Sequence, residues 1–299
     1  MRKLLSVAFC AVFCAVATNV YAKNVDEKDR ESTVRIRLKT RFVLNEYEEK
    51  MVLRTVKPEE KKKGYIVFVR DYAEKIHTNT VPKPEEIVDK IELFASPGEY
   101  QPVSLGIYPL EDLKGFKVST TLLKSESGAI IPDANITMKM GYLQMLQIGK
   151  DITRAGFNIL VKADPLDIPL THKRWGVDIA GTRQYWLTVK VPENAVPGKY
   201  SGEVKFSGLK PDNSFSLPVE LEVLPFKLLE DPEPTWGCDY YPKVEQIKDW
   251  KEHNLTGYGI YSPKPGEWEK SGGELHFKYG VQLEPILNEY VKVGMKGPL

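Results

Sequence analysis

The chain has 299 residues, with 42 Lys plus Arg against 41 Asp plus Glu, a formal charge of +1, and 42% hydrophobic and 28% charged residues. That balance excludes wholesale disorder, collagen-like repetition and a polytopic membrane protein. The near-neutral charge argues against nucleic acid as the main partner, because backbone binding needs a basic surplus or a basic face, and the length points to two domains, or one large domain plus a remnant.

Met1-Arg2-Lys3 supplies positive charge, Leu4 to Ala17 is an almost unbroken apolar run, and Val20 and Ala22 occupy the positions a signal peptidase reads. This three-part pattern predicts a signal peptide over residues 1–22, cleaved near Ala22, and hence a protein exported to the periplasm or the extracellular space. The apolar run is shorter than the roughly 20 residues that span a bilayer, so no membrane anchor is expected. Cys10 and Cys14 leave with the signal, and Cys238 alone remains, which excludes an internal disulfide or a cysteine-based zinc cluster. Residues 23–33 read as a charged leader.

From residue 34 the rhythm is that of strands. Val34, Ile36 and Leu38 alternate with Arg35, Arg37 and Lys39. Lys57 to Lys63 reads as a charged loop, its triple lysine as solvated surface. Strands are predicted over 65–69, 90–95, 101–108, 116–123, 135–140, 185–191, 202–206 and 215–224. Turn formers punctuate them: Ser96-Pro97-Gly98, Ser127-Gly128, Val196-Pro197-Gly198 and Pro211-Asp212-Asn213. Many short strands without intervening helical patterns predict a mainly β fold, an antiparallel β-sandwich over residues 34–230. Asp231-Pro232-Glu233-Pro234 is a stiff linker. Beyond it a strand (235–241), a helix (243–253), a second strand (255–261) and a helix (281–293) form the opening of a parallel α/β fold over residues 231–299.

Most chemical motifs are absent. There is no Gly-x-Ser-x-Gly elbow, no phosphate loop and no His-Glu-x-x-His helix. His77, His172, His253 and His276 are scattered without ligand spacing, so neither metal nor other cofactor is expected. The adjacent acids Glu48-Glu49, Glu59-Glu60, Glu85-Glu86, Glu111-Asp112 and Glu230-Asp231 all precede the α/β region, in charged stretches or beside prolines, and read as solvated surface. Downstream of Trp236 no two acids are adjacent.

Several segments carry a likeness. Gly64 to Tyr72, Asn79 to Pro82, Phe94 to Pro102 and Tyr108 to Leu113 resemble the amino-terminal β-sandwich of glycoside hydrolase family 123-like proteins. Trp186 to Pro192 with Pro197 to Gly202 resembles its closing hairpin, and Leu224-Pro225-Phe226 its exit. The resemblance implies a sandwich preceding a (β/α)₈ barrel that hydrolyses N-acetyl-β-galactosaminides. In the implied mechanism the sugar's own acetamido group attacks the anomeric carbon. One acid of an adjacent Asp-Glu pair orients that group and the other serves as general acid and base, an exception to the two-carboxylate scheme.

A barrel takes about 250 residues, and Thr235 to Leu299 is roughly a quarter of that, so the chain is expected to hold a truncated start of the catalytic domain with no catalytic acid. The expected partner is a carbohydrate, an N-acetylhexosamine-containing glycan, with the chain itself inactive. A stand-alone secreted carbohydrate-binding or structural sandwich module is the competing reading. Trp175, Trp186 and Trp236 could stack on sugars, although core packing suits Trp186 better. Tyr240, Tyr241 and Tyr261 end the first two barrel-like strands and are the candidate substrate-binding residues, since such folds carry function at the carboxyl ends of strands.

Overall fold

A computed structural model describes residues 43–44, 50–147, 152–174, 177–229, 237–239, 244–253, 255–259, 266–279 and 283–295. The expected signal, leader and first strand, the linker 231–234, Trp175, Trp236, Tyr240, Tyr241 and Tyr261 lie outside the described residues. The chain divides into two compact units, Met1–Lys227 and Leu228–Leu299.

The first unit is mainly β. In chain order it runs β1 (Val43–Leu44), helix α1 (Pro58–Lys63), β2 (Tyr65–Arg70), β3 (Ile91–Ala95), β4 (Tyr100–Pro109), β5 (Leu113–Thr120), β6 (Leu123–Ser125) and β7 (Ile130–Ile131). There follow β8 (Ile136–Gln147), β9 (Ile152–Lys162), β10 (Leu166–Ile168), β11 (Thr171–Arg174), β12 (Val177–Ala180), β13 (Arg183–Lys190), β14 (Gly198–Ser207) and β15 (Phe215–Val223). One sheet has the order β1-β9-β8-β13-β4-β2, the other β10-β5-β14-β15-β3, with β6 pairing beside β14 and β7 pairing with β6.

The two sheets share one apolar core in a sandwich-like arrangement. Tyr65 and Val67 of β2, Leu105 of β4 and Leu187 of β13 meet Phe116 of β5 and Phe206 of β14 there. The Tyr65 ring stands edge-on to Phe116, centroids 4.9 Å apart, so the first sheet touches the second directly. Alternation produces this: in β15, Leu217, Val219, Leu221 and Val223 are buried while Ser216, Pro218 and Glu222 are exposed.

Three expectations need correction. The sheets are mixed, because edge strand β3 runs parallel to β15 and β1 runs parallel to β9; local patterning carries no strand direction. Residues 58–63 form a helix instead of a charged loop. Pro58 at its first position, acids in its first turn, lysines in its last and Gly64 beyond its end (φ 84°) suit a helix at every position. Trp186 lies outside the shared core: Tyr185, Leu187 and Val189 take the core face of β13, and Trp186, half-buried, falls on the opposite face.

Strand β2 is buried on both sides. On its outer face Phe68 packs over its register partner Gly106, where a Cβ would sit 1.9 Å from Phe68 Cζ. Segment 71–90 is tied to this face. Arg70 donates to Glu86 through Nε and Nη2 (2.7 and 2.9 Å) and to the Lys75 carbonyl (3.2 Å), and the Thr182 hydroxyl donates to the Thr80 carbonyl (3.0 Å).

In the second unit β16 (Gly237–Asp239), α2 (Val244–Glu252) and β17 (Gly257–Gly259) form a strand–helix–strand unit with the strands parallel. A hairpin then intervenes, β18 (Gly266–Ser271) and β19 (Glu274–Tyr279), before α3 (Leu283–Lys292). Ile247 and Trp250 of α2 and Tyr290 of α3 are buried, the two helices pack together, and Tyr290 Oη donates to the Thr256 carbonyl (3.3 Å) just before β17. No helix among the described residues is long and apolar enough to cross a membrane.

Candidate functional site

A parallel strand pair with a crossover helix gathers functional groups at the strands' carboxyl ends, where side chains of successive strand–helix connections converge. In the second unit those ends are Asp239 and Gly259, which face each other in register. Tyr240 and Tyr241 directly follow Asp239, and Tyr261 stands two residues after Gly259. The placement of the three tyrosines lies outside the described residues.

The next strand–helix connection holds the hairpin. Gly272 and Gly273, both at positive φ (63° and 89°), make a two-residue turn whose twist matches the flanking strands. Residues 267–276 are exposed without interruption. Trp268 pairs with Phe277 across the ladder, their centroids 5.1 Å apart and their planes tilted by 60°. Trp268 and Leu275 are each 67% exposed.

The charged groups of the first unit do structural work. Glu60 is 5% exposed and grips Arg54 with both oxygens (2.5 and 3.0 Å) while accepting the Lys57 N–H (2.8 Å). Burial pushes its carboxyl up, but the Arg54 hydrogen bonds and charge and the Lys57 N–H outweigh that and hold it below its ordinary value. Glu86, 7% exposed, repeats the arrangement with Arg70 and the Lys83 N–H (2.9 Å). Glu111 accepts Lys210 Nζ on both oxygens (2.8 Å each); that bond, more than burial, pulls its carboxyl down.

The reading of these acids as solvated surface is therefore corrected for Glu60 and Glu86: each sits at the third position of a short helical turn, where it satisfies an otherwise orphan N–H. Glu48-Glu49 and Glu230-Asp231 lie outside the described residues. Lys63 is also drawn inward from the expected solvated run: its Nζ lies 3.8 Å from the Phe215 ring centroid, and burial lowers its pKa. His253 caps α2 through its Nδ1 and the Asp249 carbonyl (2.8 Å). Among the described residues no group of three His, Cys, Asp or Glu could hold a metal ion.

Residues 76–208 match the family model of the glycoside hydrolase 123 N-terminal domain. Among solved structures, a family 123 glycoside hydrolase from Clostridium perfringens, described for glycolipid glycan hydrolysis, aligns with 78% of this chain and 46% of its own, at 15% identity and a TM-score of 0.59. The chain thus spans about half the length of that enzyme. A CooA pilin subunit from enterotoxigenic Escherichia coli aligns with 54% of this chain and 99% of its own, at 11% identity and a TM-score of 0.30, a likeness too slight to bear on the fold. No curated protein matches the sequence. The first unit is thus similar in sequence, over residues 76–208, to the N-terminal domain of family 123 glycoside hydrolases, and the chain is similar in fold to one such enzyme.

Proposed function

We propose that the chain forms the non-catalytic sandwich and the first barrel elements of an exported glycoside hydrolase acting on glycans that end in N-acetyl-β-galactosamine. One observation carries this reading: a matched family 123 N-terminal domain over residues 76–208 is followed in the same chain by a parallel strand–helix–strand unit. The signal pattern of residues 1–22 supports export. The 299 residues contribute architecture and substrate positioning, since no adjacent acidic pair stands among those after Trp236. Tyr240, Tyr241 and Tyr261 are assigned to the sugar, each ring offering a stacking face and each hydroxyl a hydrogen bond.

The test is binding and turnover together. The purified chain is expected to retain N-acetyl-β-galactosamine-terminated oligosaccharides on a glycan array and to leave an aryl N-acetyl-β-galactosaminide intact. Alanine at each tyrosine should weaken retention about tenfold, with Phe separating ring from hydroxyl. Retention of no glycan overturns the reading. Turnover abolished by a substitution within the chain overturns its non-catalytic part. The exported product should begin at Lys23 by mass.

A further inference from the structure

We infer that the hairpin β18–β19 is a sugar-stacking platform that holds a glycan on the exposed Trp268–Phe277 face. The inference rests on the glycoside hydrolase reading and adds to it a binding surface distinct from the strand-end tyrosines. A two-stranded ribbon alone is marginally stable in water, and this one is exposed on both faces over residues 267–276. Its Gly-Gly turn and the Trp268–Phe277 pair hold it together, yet the pair leaves the Trp268 ring two-thirds exposed. A large aromatic surface left in water on a projecting element marks a contact site.

The occupant follows from size, charge and position. A stable protein partner needs about 800 Å² from each side, contributed by some 20–30 residues. The described apolar side chains here are Trp268, Leu275 and the partly covered Phe277, an area suited to one or two pyranose rings. Between Gly266 and Tyr279 three Glu stand against two Lys, too nearly balanced for a polyanion, while exposed Lys270, paired with Leu275 on the Trp268 face, supplies a hydrogen-bond donor for sugar hydroxyls. The hairpin also belongs to the connection from β17 to α3, and such connections emerge from the carboxyl ends of parallel strands, on the side where substrate is bound in α/β folds. Trp268 supplies the flat face for the apolar C–H side of the ring, and tilted Phe277 supplies a wall.

The experiment uses the full chain, with methyl N-acetyl-β-galactosaminide and an N-acetyl-β-galactosamine-terminated tetrasaccharide as probes, read by titration calorimetry. Trp268→Ala should weaken tetrasaccharide binding about tenfold and Trp268→Tyr, which keeps an aromatic ring against Phe277, by less than about threefold. Leu275→Ser, on the same face, provides a second reading if Trp268→Ala fails to fold. If the parent binds and Trp268→Ala binds equally well, the platform is overturned while the hydrolase reading stands. If the parent binds neither probe, both fall. If Trp268→Ala instead converts a dimer to a monomer in sedimentation, a second copy is the occupant and the platform is likewise overturned.

Discussion

Glu60 and Glu86 close two copies of the tetrapeptide Lys-Pro-Glu-Glu, at 57–60 and 83–86. In each the proline starts a helical turn, and the last glutamate folds back to the lysine N–H and takes an arginine, Arg54 or Arg70. The repeated tetrapeptide was a legible signal of a helix start, with its acid three residues past the cap. Which arginine closes each site was not, since that depends on the packing of the chain around it. The pH consequence has a definite sign. Glu60's folded pKa lies below its ordinary 4.5, so its contribution is complete above that value and is lost as pH falls through the lowered one. The gap in melting temperature between the parent and Glu60→Gln should be widest near neutrality and close as pH falls below Glu60's ordinary 4.5 and on through its lowered value, followed by thermal melts. A gap constant over that range would mean that Glu60 acts through packing alone.

Segment 71–90 shows how one ion pair fastens a whole element. Arg70 projects from the outer face of β2, and Glu86 meets it from a 3₁₀ turn that carries the segment across. Both side chains are buried, so removing one partner strands a charge away from water, at about 3–5 kcal/mol. Glu86→Ala is therefore expected to lower stability by about that amount in urea unfolding, and Glu86→Gln by less, because it keeps an acceptor for the Lys83 N–H. Faster proteolysis within 71–90 should accompany the loss, and an unchanged midpoint would show that the pair is incidental. The strand-and-helix pattern passed over β9 to β12 and also the β18–β19 hairpin, although Ser-Gly-Gly-Glu flanked by Trp268, Leu275 and Phe277 at alternate positions is a legible hairpin signal.

At the scale of the whole molecule, every member of the first unit's buried apolar core among the described residues lies from Tyr65 to Val223. A chain ending at Lys227 should therefore melt cooperatively, with a midpoint close to that of the first unit in the full chain, by calorimetry. Loss of that transition would place part of the sandwich's stability in residues 228–299.

The sequence by itself determined eight strand segments of the sandwich, the strand–helix–strand order after it and the family likeness, but not β9 to β12, because alternation, turn chemistry and local motifs are written within a few residues of one another only where they are regular. Only the tertiary structure decided that β3 runs parallel to β15, that Trp186 faces away from the core, that Glu60 and Glu86 are buried and that Trp268 is not. Each of these depends on what covers a face, and the covering residues come from elsewhere in the chain: β15 lies more than a hundred residues after β3, and Arg70 sixteen before Glu86. A period of two specifies that a strand has two faces; the pairing of distant segments specifies which of them is the inside.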